Sequence, residues 1–152
     1  MKIGVFGGSF DPPHIAHLIL AQEACNQLEL DRVLWVLTPD PPHKRGRRLT
    51  AASTRLAMLQ LALQDNTAFL PSRVDIDRPA PQYAVDTLHL LAKEYPHAEL
   101  VYLMGGDSLR DLPTWRRPFP EKADPYALQR LVSRTHPEVE VRVPGLMERI
   151  TL

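Results

Sequence analysis

Lys2–Leu37 reads KIGVFGGSFDPPHIAHLILAQEACNQLELDRVLWVL, and the fold follows from how that stretch divides. KIGVF at Lys2–Phe6 is short, apolar and β-prone, and Gly7-Gly8 ends it, which predicts a buried strand running into a turn. Asp11-Pro12 has the form of a helix N-cap followed by proline at the first helical position. Ile15, Leu18, Ile19 and Ala21 to Ala24 then continue an apolar face toward Leu28. Arg32–Leu37 (RVLWVL) predicts a second buried strand. Strand, helix and strand in succession make a βαβ unit, whose crossover should be right-handed and whose parallel sheet should carry helices on both faces.

Downstream the alternation continues. TPDPPHKRGRR (Thr38–Arg48) is a polar, proline-rich loop, and Thr50 is expected to open a second helix with Leu56, Leu59 and Leu63 at helical spacing. Short strands are expected at Ala68–Leu70 and Arg73–Ile76. After the loop RPAPQ, Asp86–Tyr95 predicts a third helix ended by Pro96, and Leu100–Met104 (LVYLM) a third strong strand stopped by another glycine pair. This is the pattern of an α/β domain with a doubly wound parallel sheet, single over residues 1–152. Beyond Trp115 the pattern weakens: RRPFPEKADP reads as loop, Leu128–Arg134 fits strand or helix, and Arg149–Leu152 fits the start of a strand. There is no internal repeat or low-complexity tract.

Bulk properties narrow the class. The 152 residues are 44% hydrophobic and 24% charged, ordinary for one globular domain. Eighteen basic residues balance eighteen acidic ones, so no whole-chain field draws it onto nucleic acid or a membrane surface. The single Cys25 forms no internal disulfide, which fits a reducing compartment. No signal-like segment or membrane-length apolar run is present, and a cytoplasmic location is expected. The composition is compatible with a homo-oligomer.

The glycines after the first strand are spaced G-x-x-G-G, which fails the dinucleotide fingerprint, and no lysine follows them as a P-loop requires. More general physics remains: the carboxyl end of a parallel strand leading into a helix N-terminus favours an anion. Gly7 and Gly8 would let it approach the backbone, and Ser9 could add a hydroxyl. His14 and His17, three apart, should share a helix face in the first turns and donate to phosphate oxygens. They also fit a plain surface or core pair, or an H-x-x-H metal pair that lacks a third ligand. His43 and Lys44, held by the preceding prolines, could overhang the same notch, whereas Arg47 and Arg48 read as a solvated face. Asp107, in GGDS at 105–108, could take ribose hydroxyls or cap a helix. Trp115 could stack on a planar ring or simply pack. Such a set suits nucleotidyl transfer to an acceptor that is already an anion, with catalysis by positioning and charge stabilisation. Mg²⁺ would ride on the nucleotide phosphates.

GGSFDPPHIAH resembles the [TH]-x-G-H signature of the nucleotidyltransferase superfamily. Together with PPHK at 41–44, the segment from RVDIDR to PQYAVDTL at 73–88, and GGDSLRDLPTW at 105–115, it resembles the bacterial nicotinate-nucleotide adenylyltransferases over about residues 2–115. The resemblance implies a Rossmann-like domain joining ATP and nicotinate mononucleotide into deamido-NAD, with release of pyrophosphate. It implies catalytic roles for His14, His17 and Lys44. Gly7, Gly8, Ser9, Phe10, Ala16, Gly105 and Asp107 would line the ATP site. Tyr83, Ala84, Val85, Thr87, Trp115 and Arg116 would form the nicotinate mononucleotide pocket. Phosphopantetheine adenylyltransferase is an alternative within the superfamily, and a nucleotide-binding module with little turnover is one of another class. Three departures stand out. Ala16 replaces a glycine against which adenine lies, and Ala84 replaces a threonine. No I-S-S-T-x-I-R element occurs before Leu152, so either the chain is a piece of a longer protein or its hold on ATP is weak.

Overall fold

The computed structural model describes residues 1–41 and 48–104, together with the backbone of 139–141. The elements run β1 (Lys2–Gly8), α1 (Ile15–Leu28), β2 (Arg32–Leu37), α2 (Ala52–Leu63), β3 (Phe69–Ser72), α3 (Ala84–Glu94), β4 (Glu99–Leu103) and β5 (Val139–Val141). Among the described residues five strands form one sheet in the order β3-β2-β1-β4-β5, and each of these pairings is parallel.

Right-handed crossovers dictate where the helices go. From β1 to β2 to β3 the chain steps one way, so α1 and α2 share a face; the return from β3 to β4 reverses direction and sends α3 to the other. The core divides accordingly. Along β2, Val33, Trp35 and Leu37 pack with Leu28 of α1 and with Leu59 and Leu63 of α2. Leu34 and Val36, pointing the opposite way, join Ile3, Val5 and Leu100 against Leu91 of α3. A strand covered on both faces has no polar side to show, which is why KIGVF, RVLWVL and LVYLM read as unbroken apolar runs. The doubly wound α/β expectation holds, with the switch of direction between β1 and β4.

Several boundaries differ from expectation. Helix α1 starts at Ile15 with His14 as its N-cap, three residues later than an Asp11 cap would give. Pro13 is the reason: a proline pushes the residue before it out of the helical region, so Pro12 cannot be the first helical residue. The expected apolar face of α1 is also only partly right. Ala21, Ala24 and Leu28 are buried, but Ile15 and Ile19 are 69% and 56% exposed. Helix α2 begins at Ala52 rather than Thr50, because the Thr50 N–H and carbonyl are both engaged by side chains. Helix α3 runs Ala84–Glu94, starting before Asp86.

Arg73–Ile76 is no strand. The chain turns over 74–77, closed by the Asp77 N–H donating to the Arg73 carbonyl at 3.0 Å and by an Arg73–Asp77 ion pair at 2.6 Å. Strand β5 was not anticipated. The expectations for Leu128–Arg134 and Arg149–Leu152 lie outside the described residues. No helix among the described residues is long and apolar enough to cross a membrane.

Candidate active site

At the carboxyl end of β1 the chain leaves the sheet through Ser9 and Phe10 and enters α1 at His14. Phe10 has φ 44, a left-handed conformation that costs a non-glycine residue about 1–2 kcal/mol. Its packing offsets that cost. The ring is 2% exposed, and it sits 5.5 Å edge-on from Phe6, 5.3 Å from Trp35 and 5.3 Å edge-on from His17. Aromatic pairs of this kind contribute about 0.5–1.5 kcal/mol each beyond burial. The Phe10 side chain is therefore core, so only its backbone faces the notch.

The two glycines are needed by the protein itself. A Cβ on Gly7 would lie 2.8 Å from the Tyr102 hydroxyl oxygen, and one on Gly8 would lie 3.0 Å from the Phe10 ring. Close approach over their α-carbons is thus made from within, by β4 and by the following loop.

His14 and His17 meet as expected from their spacing, although His14 caps the helix with extended backbone (φ −146, ψ 170) instead of lying within it. Their rings stack with centroids 3.7 Å apart and planes 27° from parallel. The His14 N–H donates to His17 Nδ1 at 3.2 Å. An imidazole that accepts at Nδ1 carries its proton on Nε2, so His17 is set as an Nε2–H donor. The N–H groups of Ile15 and Ala16 have no intrahelical acceptor at this helix start. Ala16 is exposed and His17 half-buried, and no acidic residue occupies the first turn. The result is an array of N–H donors at the positive end of a helix dipole, a site suited to phosphate oxygens.

The second group of expected residues gathers at the start of α3. Tyr83 is its N-cap, and Ala84 and Val85 present first-turn N–H groups. Thr87 is buried at 3% exposure, and its hydroxyl donates to Asp75 Oδ1 at 2.7 Å. The same carboxylate receives Arg78 through Nε at 2.9 Å and Nη2 at 2.8 Å. Arg78 Nη2 also donates to the Tyr83 carbonyl at 3.1 Å and to Thr87 Oγ1 at 3.0 Å. Thr87 thus braces the loop that leads into α3, its hydroxyl engaged within the protein. Gln82 lies beside this brace, 6% exposed, its Nε2 donating to the Arg78 carbonyl at 3.3 Å.

Tyr102 links the two groups. Its hydroxyl covers Gly7, while burial first and the Asp75 charge second push its pKa above the ordinary phenol value.

Sequence reading missed Arg55, Asp75, Arg78 and Tyr102. Arg55 left a signal: it is four and eight residues before Leu59 and Leu63, on the buried stripe of α2. Among the expected site residues, Lys44, Gly105, Asp107, Trp115 and Arg116 lie outside the described residues, as does His43. No group of three or more histidine, cysteine or acidic side chains among the described residues could hold a metal ion.

The sequence matches the cytidylyltransferase-like family model over residues 5–148. A Thermomicrobium roseum protein named nicotinate-nucleotide adenylyltransferase is 49% identical over 156 residues, an alignment covering 99% of this chain and 72% of the relative. The chain belongs to the nicotinate-nucleotide adenylyltransferase family. A second protein bearing the nicotinate-nucleotide adenylyltransferase name, from Corynebacterium kroppenstedtii, is 47% identical over 115 residues, and the match spans 54% of its length. Among solved structures, the Plasmodium falciparum nicotinic acid mononucleotide adenylyltransferase complexed with NaAD has a similar fold, with a TM-score of 0.67 over 93% of this chain and 74% of that one. At 17% identity that likeness speaks for the fold alone.

Proposed function

We propose that this chain transfers the adenylyl group of ATP to nicotinate mononucleotide, forming deamido-NAD and releasing pyrophosphate. The observation that carries the reading is the stacked His14–His17 pair at the N-terminus of α1, beyond the carboxyl end of β1, in a chain of this family. A phosphate oxygen of the mononucleotide attacks the α-phosphorus of ATP, and the bond from that phosphorus to the bridging oxygen of pyrophosphate breaks. The attacking oxygen is already anionic, so no general base is required. What the site must do is align the two phosphates and receive charge on the departing group.

His17 Nε2–H and the first-turn N–H groups of α1 supply fixed donors for that charge, and the His14 stack and N–H hold the His17 ring in place. At the far side of the β1–β4 crevice, the N–H groups at the start of α3 suit the nicotinate carboxylate. The donors at the notch are N–H groups, which fit phosphate oxygens, so Mg²⁺ fits as an ion carried on the triphosphate and would neutralise charge there. Lys44 is assigned to the phosphates, Gly105 and Asp107 to the adenosine, and Trp115 and Arg116 to the acceptor, on family resemblance.

The test is pyrophosphate release and chromatographic appearance of deamido-NAD with ATP, Mg²⁺ and nicotinate mononucleotide, run beside the amide mononucleotide and phosphopantetheine. Turnover with nicotinate mononucleotide is expected. Turnover confined to phosphopantetheine, or ATP binding without product from any acceptor, would overturn the assignment.

A further inference from the structure

Arg55 is among the most buried side chains of the molecule, at 1% exposure. A guanidinium removed from water must find partners for its donors, and these are four backbone carbonyls. Nη1 donates to the Ser9 carbonyl at 2.7 Å and to the Thr38 carbonyl at 3.1 Å. Nη2 donates to the Pro39 carbonyl at 2.8 Å, and Nε to the Thr50 carbonyl at 2.8 Å. These oxygens belong to three segments: the exit from β1, the exit from β2, and the approach to α2. Thr38–Pro39 and Thr50 are also the two stems of the segment that carries His43 and Lys44. Asp11 completes the tie by accepting the Thr50 N–H at 2.9 Å.

A trans peptide unit carries its C=O and its N–H on opposite sides. Fixing the Ser9 carbonyl inward therefore turns the Phe10 N–H away from Arg55, and fixing the Pro39 carbonyl does the same for the Asp40 N–H. Phe10 has the left-handed φ of 44, a conformation that persists only where its surroundings over-determine it. The aromatic packing holds its side chain, and Arg55 holds the peptide unit before it. Lysine in the same place could direct an ammonium at one or two of the four oxygens, but it has no planar fork to span them.

We infer that Arg55 is a positioning residue for the ATP side of the site, setting the peptide planes at Ser9–Phe10 and Pro39–Asp40 and the separation of the Thr38–Pro39 and Thr50 stems. The inference rests on the adenylyl-transfer reading for its kinetic consequence, though not for its structural one. Burial lowers the Arg55 pKa, and the Asp11 charge opposes that shift.

The experiment uses the full chain with Arg55→Lys, and with Arg55→Ala as a second variant supplied with guanidinium at non-denaturing concentration. Amide hydrogen exchange followed by mass spectrometry reads the loops directly. In Arg55→Lys, exchange should quicken in residues 7–12, 38–41 and 50–52 while β2, β4 and α3 keep wild-type protection. Steady-state kinetics should show KM for ATP raised about tenfold or more, since charge-assisted hydrogen bonds are lost, with KM for nicotinate mononucleotide little changed. Guanidinium, and not methylammonium, should restore part of the Arg55→Ala rate.

Uniformly faster exchange, equal losses toward both substrates, or a wild-type ATP response in Arg55→Lys would each overturn the inference. If wild-type protein releases no pyrophosphate, the functional reading fails by itself. The exchange pattern then still decides whether Arg55 sets these loops.

Discussion

At His17 one imidazole holds the start of α1 and faces the notch. Its Nδ1 accepts the His14 N–H, and its ring lies against Phe10 at 5.3 Å and Phe6 at 6.0 Å. His17→Ala should therefore cost about 1 kcal/mol of stability as a lost cap. Turnover should fall about 10²–10³-fold, as when one preorganised donor to developing charge is removed. Urea titration and pyrophosphate release measure the two separately, and comparable free-energy losses would remove His17 from the chemistry. The glycine at position 7 gives a sharper geometric test. Gly7→Ala puts a methyl 2.8 Å from the Tyr102 hydroxyl oxygen but 3.7 Å from the ring carbon that bears it. Alone it should destabilise by about 1–3 kcal/mol, as overpacking does. In a Tyr102→Phe background most of that cost should disappear, and a double-mutant cycle showing no coupling would mean the strain lies elsewhere.

The strands were legible because β1, β2 and β4 are buried on both faces, which leaves a continuous apolar signature that flanking glycines and polar loops delimit. Helix starts were less so. Asp11-Pro12 carries a true N-cap signal, but Pro13 vetoes it, and the Asp11 carboxylate serves the Thr50 N–H instead. Arg55 was invisible as a site residue because arginine in a helix reads as solvated, although its register with Leu59 and Leu63 places it on the buried stripe. Asp75 sits in a segment that resembles a strand by composition and Arg78 opens the loop RPAPQ, and it is the turn at 74–77 that brings both to Thr87. Asp75→Ala strands a guanidinium whose side chain is 14% exposed. It should cost about 3 kcal/mol in urea unfolding, toward the low end for a broken buried pair because Arg78 keeps some water. A cost below about 1 kcal/mol would show that the brace at the start of α3 is dispensable.

For the whole molecule, pH acts on the alkaline side, among the described residues, through the Cys25 thiol and two phenols, all raised chiefly by burial. Tyr102 and Tyr95 are both raised above the ordinary value of 10.0, in each case chiefly by burial. A group that keeps its proton more tightly when folded leaves stability unaffected below the unfolded value, and stability then falls as pH rises past it. Unfolding free energy should therefore be insensitive to the two phenols up to about pH 10 and decline above it. Tyr102 would add at most about 1.4 kcal/mol per pH unit. Tyr102→Phe should flatten that decline, and an unchanged alkaline limb would mean that other groups govern it.

Trp35 gives the fold an optical readout of its own site. The indole is fully buried, 4.9 Å from Phe6 and 5.3 Å from Phe10, and Phe10 in turn touches His17. With two tryptophans in the sequence, a Trp115→Phe variant leaves Trp35 as the sole indole emitter. Its fluorescence should be that of an apolar interior, and a nucleotide that shifts the His17 ring should change intensity through one intervening aromatic neighbour. Occupancy could then be followed by light in real time, without a coupled assay or an added label.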